Sequence, residues 1–242
     1  MEKAVDVLFH LHAEPVAQGV TAIGRALGLP KSSAHRLLAA LGRRGLVERD
    51  AGGRYRPGIG LVALGLGVLE REPVVAAARP VLEEEAERLG ETVFLVAARA
   101  GRLRVLDKAE GTGFLRAAPR VGAEVPVHAT AAGKLFLAFA EEAIPAPAGR
   151  LEAFTPETRT SRRAVAAEVA RARRDGFAVN RDEWIPGLSV VAAPVIAKGR
   201  MAAALAVAAP SPRLHALGWE RVARRIVAAG RRAAERLEGT RS

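Results

Sequence analysis

Five polar residues fall within one six-residue stretch: Lys31, Ser32, Ser33, His35 and Arg36. At the start of a helix, such a set does recognition rather than bond-breaking chemistry. Lys31 and the free N–H groups of a first helical turn suit phosphate, while Ser32, Ser33, His35 and Arg36 reach base edges. The neighbouring residues supply the helix. Gly28 and Pro30 break one short helical stretch and let another begin at once. Beyond the break, Ala34, Leu37, Leu38 and Leu41 fall at i, i+3, i+4 and i+7, which makes one face apolar. Ser32, Arg36 and Arg43 lie opposite. A short helix, a tight turn and a second helix of this kind is a helix-turn-helix whose second member enters a major groove. An amphipathic pair in any helical core has similar spacing, so the residues that follow must discriminate.

Those residues read as a wing. Leu46 to Arg49 is an expected strand, Asp50-Ala51-Gly52-Gly53 a turn, and Arg54-Tyr55-Arg56 the returning strand. From Val20 to Pro57 there are eight Lys/Arg against two acidic residues, a net of +6. This compact basic stripe is the electrostatic footprint of a DNA binder. Arg54, Tyr55 and Arg56 join the expected contacts, although Tyr55 fits a core position equally well.

Composition narrows the class. The 242 residues suffice for two modest domains, and a 50% hydrophobic content excludes a disordered chain. The net charge is +11, of which residues 1–72 supply only +3, so basicity alone does not locate the DNA site. The absence of Cys excludes disulfides and thiolate metal sites, and the five scattered His form no metal-binding spacing. Neither a signal peptide nor an apolar run long enough for a membrane span is evident. A soluble, cytoplasmic protein without a membrane partner is expected.

Taken in order, Lys3 to His12 forms a first amphipathic helix, with Ala4, Val7, Leu8 and Leu11 on one face. Thr21 is an expected N-cap for the next. Apolar Gly58 to Glu70 reads as a linker helix in need of packing partners, because its interior glycines each cost roughly 1 kcal/mol. The expected boundary lies at residue 72, giving a winged helix-turn-helix with its linker over 1–72 and a second domain over 73–242. The second domain opens with a helix, Val74 to Leu89, interrupted by Pro80 and closed by Gly90. Strands are expected at Thr92 to Ala98, Arg102 to Lys108 and Gly113 to Ala118. A helix runs from Ala131 through Phe139, and Ile144 to Gly149 is a loop. Another helix spans Ser161 to Asp175, then a short strand at Phe177 to Val179. Leu188 to Ile196 and Arg200 to Ala208, joined by Lys198-Gly199, form an antiparallel hairpin at the heart of a sheet. A single last helix runs from Pro212 to Leu237. The fold class is α+β.

Three segments then resemble one family: GLPKSSAHRLLAALGRRGLVERDAGGRYRPG from Gly28, VPVHATAAGKLFLA from Val125, and GFAVNRDEWIPGLSVVAAPV from Gly176. They are similar to the IclR family of bacterial transcription regulators, and the likeness runs over nearly the whole chain. It implies a winged helix-turn-helix, a linker helix and a C-terminal GAF-like effector-binding domain with an antiparallel sheet. It implies a homodimer or homotetramer that binds double-stranded operator DNA, acts as a repressor and responds to a small organic acid. No cofactor is implied.

The resemblance also implies an effector pocket lined by Phe114, Ala117, Val125, Ala131, Ala132, Asn180, Leu188, Val190, Ala206 and Ala208. Members that bind small keto acids carry Asp, Cys, Ser and Ser where this chain has Asn180, Val190, Ala206 and Ala208. Each change removes a charge or a hydrogen-bonding group, so an effector more apolar than glyoxylate or pyruvate is expected, with an aromatic acid as one form. Asn180 and the N–H groups of Ala131, Ala132 and Gly133 at a helix start are the expected polar anchors. Plain core packing explains the alanines equally well. In that case the second domain only assembles a constitutive DNA-binding protein, and an open cavity of a few hundred Å3 distinguishes the two. His128, Lys134, Asp182 and Glu183 form no catalytic spacing, so no enzyme is expected, and Lys134 reads as an ordinary solvated lysine.

Overall fold

The computed structural model describes residues 2–69, 71–113, 119–145 and 149–239. The chain divides into two compact units, residues 1–71 and 72–242.

In the first unit α1 (Glu2–Ala13), α2 (Val20–Ala26) and α3 (Lys31–Arg43) pack around Val7, Leu11, Ile23, Ala34 and Leu38, all buried. The α2–α3 turn is made by Gly28, whose φ of +61° suits glycine, and by Pro30 as the residue before α3. Gly24 lets the helices approach: a Cβ there would lie 2.9 Å from the Leu29 carbonyl oxygen. The cap of α2 is Gly19, and Thr21, the expected cap, sits inside the helix. The wing is β1 (Val47–Arg49) paired antiparallel with β2 (Tyr55–Pro57). Asp50 Oδ1 accepts the Arg54 N–H at 2.8 Å across its turn. Next comes α4 (Gly60–Leu69), which buries none of its side chains.

The second unit is a five-stranded sheet of order β4-β3-β7-β6-β5, antiparallel throughout. Its strands are β3 (Thr92–Arg99), β4 (Arg102–Ala109), β5 (Ala178–Arg181), β6 (Leu188–Ala197) and β7 (Arg200–Pro210). The β6–β7 turn places Lys198 and Gly199 both at positive φ, +50° and +73°, as a two-residue hairpin of matching twist requires. Side-chain alternation divides the sheet. Phe94, Val96, Val190, Ala192, Ala204, Ala206 and Ala208 share a core with α6 (Ala131–Phe139) and α7 (Arg162–Asp175). The other face meets α5 (Pro73–Leu89) and α9 (Trp219–Gly239). Gly230 allows the α9 approach, since a Cβ there would lie 2.7 Å from the Pro194 oxygen.

The structure departs from the sequence reading in several places. Pro80 does not interrupt α5: it lies on the exposed side, as does Ala76, whose carbonyl loses its partner and faces water. The final helix is two, α8 (Ser211–Leu217) and α9, because Gly218 turns the chain at φ +82°. The expected strand Gly113 to Ala118 falls mostly on 114–118, and the expected loop Ile144 to Gly149 includes 146–148; both stretches lie outside the described residues.

Candidate functional site

The first unit presents α3 by its N-terminus. The residue before it is Pro30, which offers no side-chain cap, and the first intrahelical bond is Ala34 N–H to Pro30 C=O at 3.0 Å. The N–H groups of Lys31, Ser32 and Ser33 therefore find no acceptor among the described residues and point where the helix dipole favours an anion. Lys31, Ser32, His35 and Arg36 are exposed and Ser33 is half-buried, because the buried face is taken by Ala34, Leu38 and Leu41. In the wing Arg54 is exposed. Arg56 is also exposed, but its guanidinium donates to Glu48 at 3.2 Å. The Ile59 N–H, and after it Arg56, holds the Glu48 carboxyl below its ordinary range. Tyr55 belongs to the core. It is 8% exposed, and its backbone exchanges two hydrogen bonds with Gln18, at 2.9 and 2.7 Å. The alternation Arg54 out, Tyr55 in, Arg56 out was the signal available for this correction.

The same unit exposes apolar surface: Val5 and Phe9 on α1, Ile59 before α4, and Val62, Leu64, Leu66 and Val68 on α4. Phe9 is 70% exposed.

The second unit encloses a cavity of about 460 Å3 between the sheet, the start of α6 and residues 184–188. It brings together Val125, Ala131, Ala132, Asn180, Leu188, Val190, Ala206 and Ala208 from the expected set. The room exists because alanines on β7 stand where longer side chains would fill it. Phe94 and Val96 of β3, Thr130, Trp184 and Pro186 also line it, with Pro119, Arg120 and Ala123 at one side. Phe94 and Val96 could have been found from the strand alternation that places them beside Ala206 and Ala204. Arg120 is exposed and is the sole charged group lining the cavity among the described residues. Phe114 and Ala117 lie outside the described residues.

Two expected anchors are already occupied. Asn180 lines the cavity, but its Nδ2 donates to Ala129 C=O and its Oδ1 accepts from Glu183 N–H, both at 2.9 Å. It fixes the cavity wall and retains one amide hydrogen. Gly133 does not line the cavity. Its N–H donates to the Thr130 cap at 3.1 Å, and a Cβ on it would stand 1.8 Å from the Val127 carbonyl oxygen. It is glycine for packing. The N–H groups of Ala131 and Ala132 have no acceptor among the described residues, and both residues line the cavity.

Lys134 is the largest departure from the sequence reading. It is fully buried, with Nζ 2.6 Å from Glu183 Oε1, 2.9 Å from the Val179 carbonyl oxygen and 3.4 Å from Glu168 Oε2. His128 is buried against Phe154 and bonded to the Glu152 carbonyl, and Asp182 accepts from Ser211. Among the described residues no group of three or more His, Cys, Asp or Glu is placed to hold a metal, and no helix is long and apolar enough to cross a membrane.

A basic winged helix-turn-helix followed in the chain by an α+β unit with an apolar cavity defines a class: DNA-binding transcription regulators rather than enzymes. Residues 1–51 match the IclR helix-turn-helix domain, and residues 66–235 match the C-terminal domain of the bacterial transcriptional regulator IclR. The chain belongs to the IclR family of bacterial transcriptional regulators. It is 34% identical over 217 residues to the probable transcriptional regulator SauR of Cupriavidus necator, covering 88% of this chain and 86% of that one. The crystal structure of Thermotoga maritima IclR superposes with a TM-score of 0.84 at 26% identity, over 98% of each chain. An IclR homologue of Microbacterium hydrocarbonoxydans, solved in complex with 4-hydroxybenzoate, gives the same TM-score, identity and coverage.

Proposed function

We propose that this chain is an operator-binding repressor of the cytoplasm whose DNA affinity is set by a small amphipathic acid held in the second unit. The cavity carries this reading: about 460 Å3, apolar on nearly every side, and lined by Arg120 and by Ala131 and Ala132, whose backbone N–H groups have no acceptor among the described residues. Its volume falls in the range of small-ligand sites. Glyoxylate or pyruvate would leave most of it unfilled, and no hydroxyl on β7 would meet their polar groups. An aromatic or branched acid fits the chemistry. Its body lies against Phe94, Val190 and the β7 alanines, and its carboxylate faces Arg120 and the α6 N-terminus. The homologue that holds 4-hydroxybenzoate makes this class reasonable. A domain serving assembly alone has no need of so open a cavity.

On the DNA side, Lys31 and the first-turn N–H groups of α3 take phosphate, Ser32, Ser33, His35 and Arg36 face base edges, and Arg54 and Arg56 of the wing reach the backbone. Assembly as a homodimer or homotetramer follows from the apolar surface of α1 and α4, which one copy leaves in water and a second copy would cover. A pair of recognition helices then reads two half-sites.

Calorimetry on the full chain tests the effector. Benzoate and 4-hydroxybenzoate should bind at least ten times more tightly than glyoxylate and pyruvate. Arg120→Gln should weaken the aromatic acids by about tenfold or more, the scale of one hydrogen bond to a charged group. Micromolar binding of glyoxylate or pyruvate would overturn the reading.

A further inference from the structure

We infer that Lys134 is a positioning residue for the cavity: through Glu183 it fixes the wall segment 184–188, and so sets ligand affinity without touching the ligand. This rests on the cavity being the effector site. Neither Lys134 nor Glu183 lines the cavity, yet each is one step from it. Lys134 sits one helical turn beyond Ala131, which lines it, on the same rigid helix. Glu183 immediately precedes Trp184, the first residue of the wall.

Glu183 is held at three points. Its N–H donates to Asn180 Oδ1 at 2.9 Å, its carbonyl accepts from Thr158 Oγ1 at 2.6 Å, and its carboxylate meets Lys134 Nζ at 2.6 Å. The first two contacts reach Glu183 through its backbone, from Asn180 on β5 and from the turn at Thr155–Thr158. Lys134 alone ties it to α6. The same ammonium donates to Val179 C=O on β5, so one cation joins the α6 helix, the sheet edge and the wall. The pair is almost completely shielded, with side-chain exposures of 1% and 6%.

Such burial is an expensive way to hold a fold together. Two well-packed apolar side chains of similar volume commonly replace a buried ion pair without loss of stability. What they cannot reproduce is direction. A charge-assisted hydrogen bond fixes distance and angle, whereas apolar contact tolerates sliding. The far end of the wall is closed by backbone bonds, Leu188 N–H to Ile185 C=O at 3.1 Å and Ser211 N–H to Gly187 C=O at 2.9 Å, so the end that Glu183 holds is the one carrying Trp184.

The test uses the full chain in a Trp219→Phe background, which leaves Trp184 as the only tryptophan. Lys134→Met strands a buried carboxylate and should lower the melting temperature by about 6–20 °C. Lys134→Met with Glu183→Leu should recover most of that loss. At 25 °C the double variant should nevertheless show acrylamide quenching of Trp184 raised at least twofold, and 4-hydroxybenzoate affinity lowered at least tenfold. Melting recovered together with parental quenching would show that the pair only stabilises, and would overturn the inference. If the double variant does not fold, Glu183→Asp decides, since it keeps both charges but shortens the tether by one carbon. Altered Trp184 quenching supports the inference and unaltered quenching overturns it. The quenching readout needs no ligand, so a parent chain that binds no acid defeats the effector reading alone.

Discussion

Replacing Gly133 by alanine should destabilise the second unit severely, although the change adds one methyl group. The added Cβ would stand 1.8 Å from the Val127 oxygen, 2.5 Å from its carbonyl carbon and 2.7 Å from its Cα. All three are backbone atoms, which cannot swing aside. Ordinary contact would require the start of α6 to retreat by roughly 1.5 Å from residues 127–130, since packed carbon and oxygen atoms need about 3.5 Å. That shift breaks the Gly133 N–H to Thr130 Oγ1 bond and disturbs the Thr130 to Pro126 bond of 2.7 Å. The lost cap costs about 1 kcal/mol, the second bond about as much, and the overpacking strain about 1–3 kcal/mol. The total is roughly 3–5 kcal/mol, or a fall in melting temperature of about 6–20 °C for a domain of this size. Thermal unfolding followed by circular dichroism measures it, with Gly65→Ala as control because nothing lies within 4 Å of a Cβ there. A Gly133→Ala protein melting within a degree or two of the parent would show that α6 does not approach Val127 as described.

Other substitutions separate the remaining roles. Arg36→Ala should weaken operator binding by about 1–3 kcal/mol while random DNA loses less; equal losses in gel shifts would make Arg36 a phosphate contact. Tyr55→Phe should leave operator affinity unchanged, since the ring is buried, whereas Arg54→Ala should weaken all DNA and flatten the salt dependence by about one counterion. Glu72 precedes α5 without a side-chain capping bond and receives the Arg99 guanidinium, which holds its carboxyl below the ordinary range and raises Arg99. A lowered carboxylate contributes stability above its unfolded pKa and loses it as pH falls through the folded value. Glu72→Gln should therefore melt lower than the parent at neutral pH, with the gap closing on acidification below about pH 4.3; a constant gap would refute the pairing.

Much of the fold was legible because its signals are local. Lys198-Gly199 between two apolar runs specified the hairpin, and Gly90 after Leu89 specified the end of α5. Most of the cavity was legible only through the family resemblance, which implied Val125, Ala131, Ala132, Asn180, Leu188, Val190, Ala206 and Ala208 as its lining. What escaped depends on partners distant in sequence. Lys134 looks solvated until Glu183, 49 residues later, is brought against it. Asn180 looks free to bind a ligand until the Ala129 carbonyl, 51 residues earlier, takes its amide. Gly133 reads as a donor of its N–H, but the approach of Val127 gives it another purpose. Gly218 was a visible break in a long helical pattern, and its positive φ made it decisive.

The central claim is that the apolar cavity senses a ligand and passes the result to DNA binding. Ala206→Leu tests it most directly, since the longer side chain enters the cavity from β7 and leaves every residue of the helix-turn-helix unit unchanged. Gel shifts on the intergenic DNA beside the gene, titrated with 4-hydroxybenzoate, should show the parent losing operator affinity as the acid is added. The variant should bind the operator equally well with or without it. A variant that still responds like the parent, or a parent whose operator binding no acid of this class alters, would contradict the account.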